Sequence, residues 1–128
     1  MSAWAGCAAL AADDDEASRK LAALMLKREG LVVTAVEDGQ QALDHVAANH
    51  VDLVLMDLEM PRLGGLDAIR AIRALAPPRP ARIVALTSHA DETVRARCRE
   101  AGADAYLVKP VRLADLQRVL GEVFAAPA

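Results

Sequence analysis

The stretch VDLVLMD, residues 51–57, constrains the fold more than any other part of the chain. Its centre is a continuous apolar run, without the alternation expected of a strand that has one wet face, and its last residue is a carboxylate. Such a strand is buried on both faces, as inside a parallel sheet covered by helices on each side. The same run puts Asp57 at a strand's carboxyl end, the edge beyond which open parallel sheets bind their ligands.

The rest of the chain supplies the neighbours that such a strand needs. An apolar run at 5–12 reads as the first strand, although it is alanine-rich and alanine is a poor strand former. Leu21, Leu24, Met25 and Arg28 fall at helical spacing in a helix over about 16–29, and Gly30 ends it. The β-branched LVVTAV, 31–36, is a strand, followed by a helix over about 39–49 with Leu43, Val46 and Ala47 on one face. Beyond residue 57 the loop EMPRLGG is punctuated by proline and glycine, and a helix over about 65–75 presents Leu66, Ile69 and Ile72. PPRP breaks the chain, ARIVALTS (81–88) is the fourth strand, and a helix over about 91–101 ends at Gly102. AYLV (105–108) is the fifth strand. A last helix over about 112–124 carries Leu113, Leu116, Leu120, Val123 and Phe124 at core spacing.

Strands alternating with helices through short connections predict an α/β domain with a parallel sheet, and right-handed crossovers place helices on both faces. The 128 residues suffice for one such domain, 1–128 with a core over about 7–124, and leave no room for a second. Aromatic residues make up only 2% of the chain, so the core must be built from Leu, Val, Ile and Ala. The net charge of −3 argues against direct binding to nucleic acid or to an anionic membrane. WAGCAALAA lacks the positive flank of a signal peptide and is too short to span a bilayer, so no membrane insertion and a cytoplasmic location are expected. Cys7 and Cys98 form no CxxC pair and read as small hydrophobes in a reducing compartment.

The polar residues at the strand ends form one inventory. Asp13, Asp14 and Asp15 follow the first strand, Asp57 ends the third, Thr87 and Ser88 end the fourth, and Lys109 and Pro110 follow the fifth. The topology brings these distant residues to one edge. Clustered carboxylates suit a hard divalent cation, a lysine and a hydroxyl suit phosphoryl oxygens, and an aspartate can be a phosphoryl-accepting nucleophile. The constellation reads as phosphoryl transfer onto a carboxylate. Which two of the three consecutive aspartates would hold metal depends on where the first strand ends. A nucleotide-binding fold is disfavoured, since no GxGxxG or GxxxxGK[ST] stretch follows a strand. An aspartyl phosphatase would typically carry a second aspartate two residues after the nucleophile, where this chain has Glu59.

The ordered motifs DDD…MDLEMP…GG…LTS…YLVKP resemble the receiver domain of two-component response regulators, over about residues 7–124. The resemblance implies a flavodoxin-like (βα)5 sandwich with strand order 2-1-3-4-5. It implies that Asp57 is the phosphoacceptor, and that Asp13, Asp14, Asp57 and the backbone carbonyl of Glu59 hold Mg2+ (or Mn2+). Asp15 is left to start the helix, where a negative side chain is favoured. Thr87 and Lys109 would bind the phosphoryl group, Thr87 and Tyr106 would form the switch, and the bond before Pro110 would be cis. Glu59 and His89 would tune the acyl phosphate lifetime. Gly64-Gly65 departs from the family's usual Asp-Gly or Asn-Gly, which would loosen the loop beside Asp57. EASRKL, IVALTSHA and RCREAGADAYLVKPV are similar to receivers of hybrid sensor kinases and phosphorelays.

The implied partner is a histidine kinase or a histidine phosphotransfer domain. Arg19, Lys20, Lys27 and Arg28 on the first helix offer a basic docking face. A homodimer would use the face of the fourth helix, fifth strand and fifth helix. Such a domain acts on no outside substrate and catalyses only its own phosphorylation and dephosphorylation. The competing expectation is a pseudo-receiver, a binding or dimerisation module that takes no phosphate.

Overall fold

The computed structural model describes residues 3–60, 63–89 and 91–125. Pro61 and Arg62 of the EMPRLGG loop, and Ala90, lie outside the described residues. Strands β1 (Ala8–Ala12), β2 (Val32–Val36), β3 (Leu53–Asp57), β4 (Arg82–Thr87) and β5 (Ala105–Val108) alternate with helices α1 (Glu16–Arg28), α2 (Gly39–Ala48), α3 (Gly65–Ala74), α4 (Glu92–Ala101) and α5 (Leu113–Ala125). The strands form one parallel sheet in the order β2-β1-β3-β4-β5.

Side-chain alternation along the strands divides the core into two layers. Ala9, Ala11, Leu53, Leu55, Val84 and Leu86 point to one face, where Leu26 of α1 and Leu116, Val119 and Leu120 of α5 cover them. Leu10, Ala12, Val54, Met56, Ile83 and Ala85 point to the other, beneath Ala42 of α2, Ile69 and Ile72 of α3, and Cys98 and Ala101 of α4. All five residues of β3 are buried, as its apolar sequence requires. Burial of these aliphatic side chains, at roughly 1.5–3 kcal/mol for each of the larger ones, is the main force holding the layers together.

Strand β1 starts later than its sequence suggests. The apolar run from residue 5 is not extended throughout, because Gly6 adopts φ 82° and residues 3–6 form a turn. The Gly6 amide donates to the Gly30 carbonyl at 2.8 Å, and Trp4 packs on Phe124 with ring centroids 6.0 Å apart. The weak strand propensity of alanine is overridden at 8–12, where both neighbours are in place for pairing. Cys7 and Cys98 are free thiols, Cys98 buried and Cys7 half-buried. Among the described residues no helix is long and apolar enough to cross a membrane.

Helix starts fix the loops at the carboxyl edge of the sheet. Asp15, Asp38 and Asp91 are N-caps of α1, α2 and α4, each accepting a backbone N–H from the first turn. Gly64 caps α3 without a side-chain bond. The Gly64-Gly65 pair is not simply a loose hinge. A Cβ on Gly65 would lie 2.3 Å from the Asp57 carbonyl oxygen, so the bare backbone there lets α3 start against the end of β3, whereas Gly64 faces open space.

Candidate functional site

The parallel register brings the carboxyl ends of β1, β3, β4 and β5 to one edge. Asp57 is the last residue of β3 and is paired in register with Leu86, one residue before Thr87. Asp13 and Asp57 are each only 1% exposed. One carboxylate oxygen from each of Asp13, Asp14 and Asp57 lies within 4.8 Å of the others. Asp15 is not part of that group, since its carboxylate accepts the Ser18 amide at 2.8 Å as the cap of α1.

Lys109 follows β5 and enters this cluster. Its Nζ is 3.1 Å from Asp13 Oδ2 and 3.1 Å from Asp57 Oδ2. The Lys109–Pro110 peptide is cis. Lys109 therefore faces the two buried carboxylates together, and the ionisation of these three groups is linked. Burial, reinforced by the Asp13 charge, pushes the Asp57 acid up from 3.8 to about 6, against the opposing pull of the Glu59 amide and Lys109. Burial also acts to raise Asp13, but hydrogen bonds from the Ser18 hydroxyl, the Asp15 amide and Lys109 outweigh it and hold that acid below its ordinary value. Burial would lower Lys109, yet its bonds to Asp13 and Asp57 raise it and keep it charged.

The loops around the cluster hold the remaining residues expected there. Glu59 donates its amide to Asp57 Oδ1 at 3.1 Å, while its carboxylate turns to the Ser88 amide and hydroxyl, each at 3.4 Å. His89 is exposed, with Nδ1 3.9 Å from Glu59 Oε1. Thr87 is buried, and its hydroxyl is turned along its own loop. Oγ1 donates to the His89 carbonyl at 2.8 Å and accepts the His89 amide at 3.1 Å. Tyr106 lies further along β5 and is half-buried, with the Arg95 guanidinium 5.0 Å above its ring. It is thus removed from the carboxylates and sits on the α4–β5 side.

The basic face expected on α1 is smaller than its sequence suggests. Arg19 bends back beneath the site, where Nη1 donates to the Asp13 carbonyl at 3.0 Å and Nη2 lies 3.6 Å from Glu37. Lys20 is paired with Glu16 one turn earlier at 2.7 Å. Lys27 and Arg28 remain exposed at the far end of the helix. Ser18 was absent from the residues expected at the site, yet its hydroxyl donates to Asp13 Oδ2. The signal for it in the sequence was a hydroxyl in the first helical turn after an acidic pair, which reads equally well as an ordinary cap.

An all-oxygen donor set with excess negative charge fits a hard divalent cation such as Mg2+ or Mn2+. Burial first, and then the Asp13 charge, makes an ionised Asp57 costly, and a cation among the three carboxylates would offset that cost. Asp57 and Lys109 are paired within this cluster, and the buried Thr87 ends the strand beside Asp57.

Comparison with known proteins agrees with this geometry. Residues 9–120 match the family model of the response regulator receiver domain. The receiver domain of the sensor histidine kinase PA1611 from Pseudomonas aeruginosa PAO1, solved with a magnesium ion coordinated in its active-site cleft, is 37% identical. It superposes with a TM-score of 0.86 over 95% of this chain and 100% of that one. Histidine kinase 1 of Arabidopsis thaliana is 36% identical over 83% of this chain and 12% of that protein. The transcriptional regulatory protein PdtaR of Mycobacterium tuberculosis is 43% identical over 84% of this chain and 51% of that protein. The chain therefore spans about half the length of these curated relatives, or less.

Proposed function

The chain belongs to the response regulator receiver family, and from that premise we propose that it accepts a phosphoryl group on Asp57 from a phosphohistidine. The observation that carries this reading is the Lys109 ammonium, shared at 3.1 Å between the buried carboxylates of Asp13 and Asp57. A carboxylate held in that way is available as a nucleophile, with a cation beside the place where phosphoryl charge arrives.

In the transfer, an Asp57 carboxylate oxygen attacks the phosphorus of the donor. The O–P bond forms as the N–P bond breaks, and the bonding electron pair leaves with the imidazole nitrogen. Asp13, Asp14, Asp57 and the Glu59 backbone carbonyl would hold the divalent cation, which when bound neutralises charge on the phosphoryl oxygens. The magnesium in the PA1611 receiver supports that choice of metal. Lys109 shifts its pairing from the Asp57 carboxylate, which loses its charge on acylation, to the phosphoryl oxygens, and the Thr87 hydroxyl gives up the His89 carbonyl to donate to a phosphoryl oxygen. Tyr106 then leaves its place beneath Arg95 and turns inward, and the α4–β5–α5 face changes. A partner protein or a second copy of the chain reads that face. Glu59 and His89, whose exposed side chains lie 3.9 Å apart on the loops after β3 and β4, tune the lifetime of the acyl phosphate.

The donor is a histidine kinase or a histidine phosphotransfer domain, and the location is cytoplasmic. An apolar groove of about 390 Å³ beside Lys109, lined by Ala17, Leu21, Met25, Pro110 and Val111, offers the donor a surface next to the site. Similarity to two sensor-kinase receivers supports a place in a hybrid-kinase phosphorelay. The test is the intact mass after incubation with acetyl phosphate and Mg2+. One added phosphoryl group, lost in Asp57→Asn and without Mg2+, is expected. No addition, combined with no response of Tyr106 to beryllofluoride and Mg2+, would refute the reading in favour of a binding module that takes no phosphate.

A further inference from the structure

Each polar atom of Asp13 is engaged by a named neighbour. Its amide donates to the Val36 carbonyl at 3.2 Å, and its Oδ1 accepts the Asp15 amide at 3.0 Å. Its Oδ2 accepts the Ser18 hydroxyl and pairs with Lys109, and its carbonyl accepts Arg19 Nη1 at 3.0 Å. Arg19 is a surface-type residue drawn inward, with its side chain only 15% exposed, and its second nitrogen reaches Glu37 just past β2. The guanidinium thus ties together the end of β1, the first turn of α1 and the end of β2.

We propose that Ser18 and Arg19 are positioning residues that hold Asp13, and through it Asp14, in the geometry that receives the divalent cation. The proposal rests on the reading of these aspartates as metal ligands. The two residues act on different bonds. The Ser18 hydroxyl fixes the carboxylate's rotation, opposing a swing that Lys109 alone would permit. Arg19 grips the carbonyl of the peptide that joins Asp13 to Asp14, and so sets the direction in which Asp14 leaves the strand. Ligands held by such outer partners lose less freedom when metal binds, and removing the partners typically weakens metal affinity about 10–100-fold. Ser18 can be tested without undoing the helix start, because the cap bond to Asp15 uses its backbone amide and survives in Ser18→Ala.

The experiment is an Mg2+ titration followed by the amide NMR shifts of residues 13–15, on the full chain. It compares wild type, Ser18→Ala, Ser18→Thr and Arg19→Met, with thermal melts of each metal-free protein. Ser18→Ala and Arg19→Met are expected to raise the Kd for Mg2+ about tenfold or more. Ser18→Thr, which keeps the hydroxyl, should stay within about twofold of wild type, and phosphoryl uptake at saturating Mg2+ should recover in all three. Wild-type affinity in folded Ser18→Ala overturns the role of the hydroxyl, as does an equal loss in Ser18→Thr. Wild-type affinity in Arg19→Met overturns the role of the guanidinium. Absence of Mg2+ binding by wild type itself would instead overturn the metal reading on which the proposal stands.

Discussion

Replacing Asp57 by asparagine should make the metal-free domain more stable at neutral pH, although it removes the central residue of the site. Asp57 is 1% exposed, and burial together with Asp13 raises its acid from 3.8 to about 6. At ~1.4 kcal/mol for each tenfold change in proton affinity, ionising this residue in the fold costs about 3 kcal/mol relative to the unfolded chain. That figure already includes the help given by Lys109 and the Glu59 amide. Asparagine keeps an oxygen for the Glu59 amide and carries no charge, but it gives up the ion pair to Lys109. The net gain should be roughly 1–3 kcal/mol, which corresponds to a rise in Tm of about 4–15 °C for a domain of this size.

The sign of the pH dependence follows from the direction of the shift. Between 3.8 and about 6 the folded state keeps a proton that the unfolded state has lost, so wild-type stability declines as pH rises through that window. The variant lacks this decline. The two proteins should therefore melt at similar temperatures near pH 4, diverge up to about pH 6, and keep a constant gap above it. Denaturant melts from pH 4 to 8 in chelator measure this directly. Saturating Mg2+ should close or reverse the gap, because metal bound only to the folded wild type adds ~1.4 kcal/mol per tenfold excess over its Kd. An Asp57→Asn protein no more stable than wild type at pH 7.5, or a gap independent of pH, would refute the account of Asp57 as a charge-strained carboxylate.

Lys109→Met should leave Asp13 and Asp57 facing each other without their cation and destabilise the metal-free domain by about 3 kcal/mol at pH 7; chemical denaturation should show that loss shrinking toward pH 5 as Asp57 protonates. Gly64→Asp should add the side-chain cap that α3 lacks, at a position with φ −66° and open space, and raise stability by about 0.5–1 kcal/mol in a thermal melt. Gly65→Ala should instead cost roughly 1–3 kcal/mol and weaken phosphoryl uptake, because its Cβ would press on the Asp57 carbonyl and on Leu58 Cα at 2.5 Å. His89→Ala should change the rate of acyl phosphate loss, and an unchanged decay after removal of the phosphodonor would count against any role for that side chain.

The fold could be read from the sequence wherever a single physical demand dominated a segment. β3 has no polar residue from 53 to 56 and can only be an inner strand, and the spacing of Ile69 and Ile72 matches the face α3 buries. The start of β1 was less legible, because alanine carries little preference and the turn at 3–6 depends on Gly6 meeting Gly30 across the fold. At the site, carboxylates at strand ends announced themselves through the alternation of elements. Ser18 and Arg19 did not, since their bonds run backward across a helix cap to Asp13, and no periodicity of apolar residues encodes such a contact. Arg19 read as part of a solvated basic face for the same reason. Its partner Glu37 lies just past β2, and the pairing exists only once β1 and β2 are adjacent. The close approach of Gly65 to Asp57 was likewise invisible, as one glycine of a Gly-Gly pair looks like the other until the backbone beside it is placed.

The measurement that tests the central claim most directly is chemical localisation of the phosphoryl group. The chain is phosphorylated with acetyl phosphate and Mg2+, reduced with borohydride to convert the acyl phosphate to homoserine, digested, and sequenced by mass spectrometry. Homoserine at position 57 and at no other aspartate is the predicted result. Homoserine at position 13 or 14, or phosphate retained on a serine, threonine or histidine, would contradict the assignment of Asp57 as the phosphoacceptor.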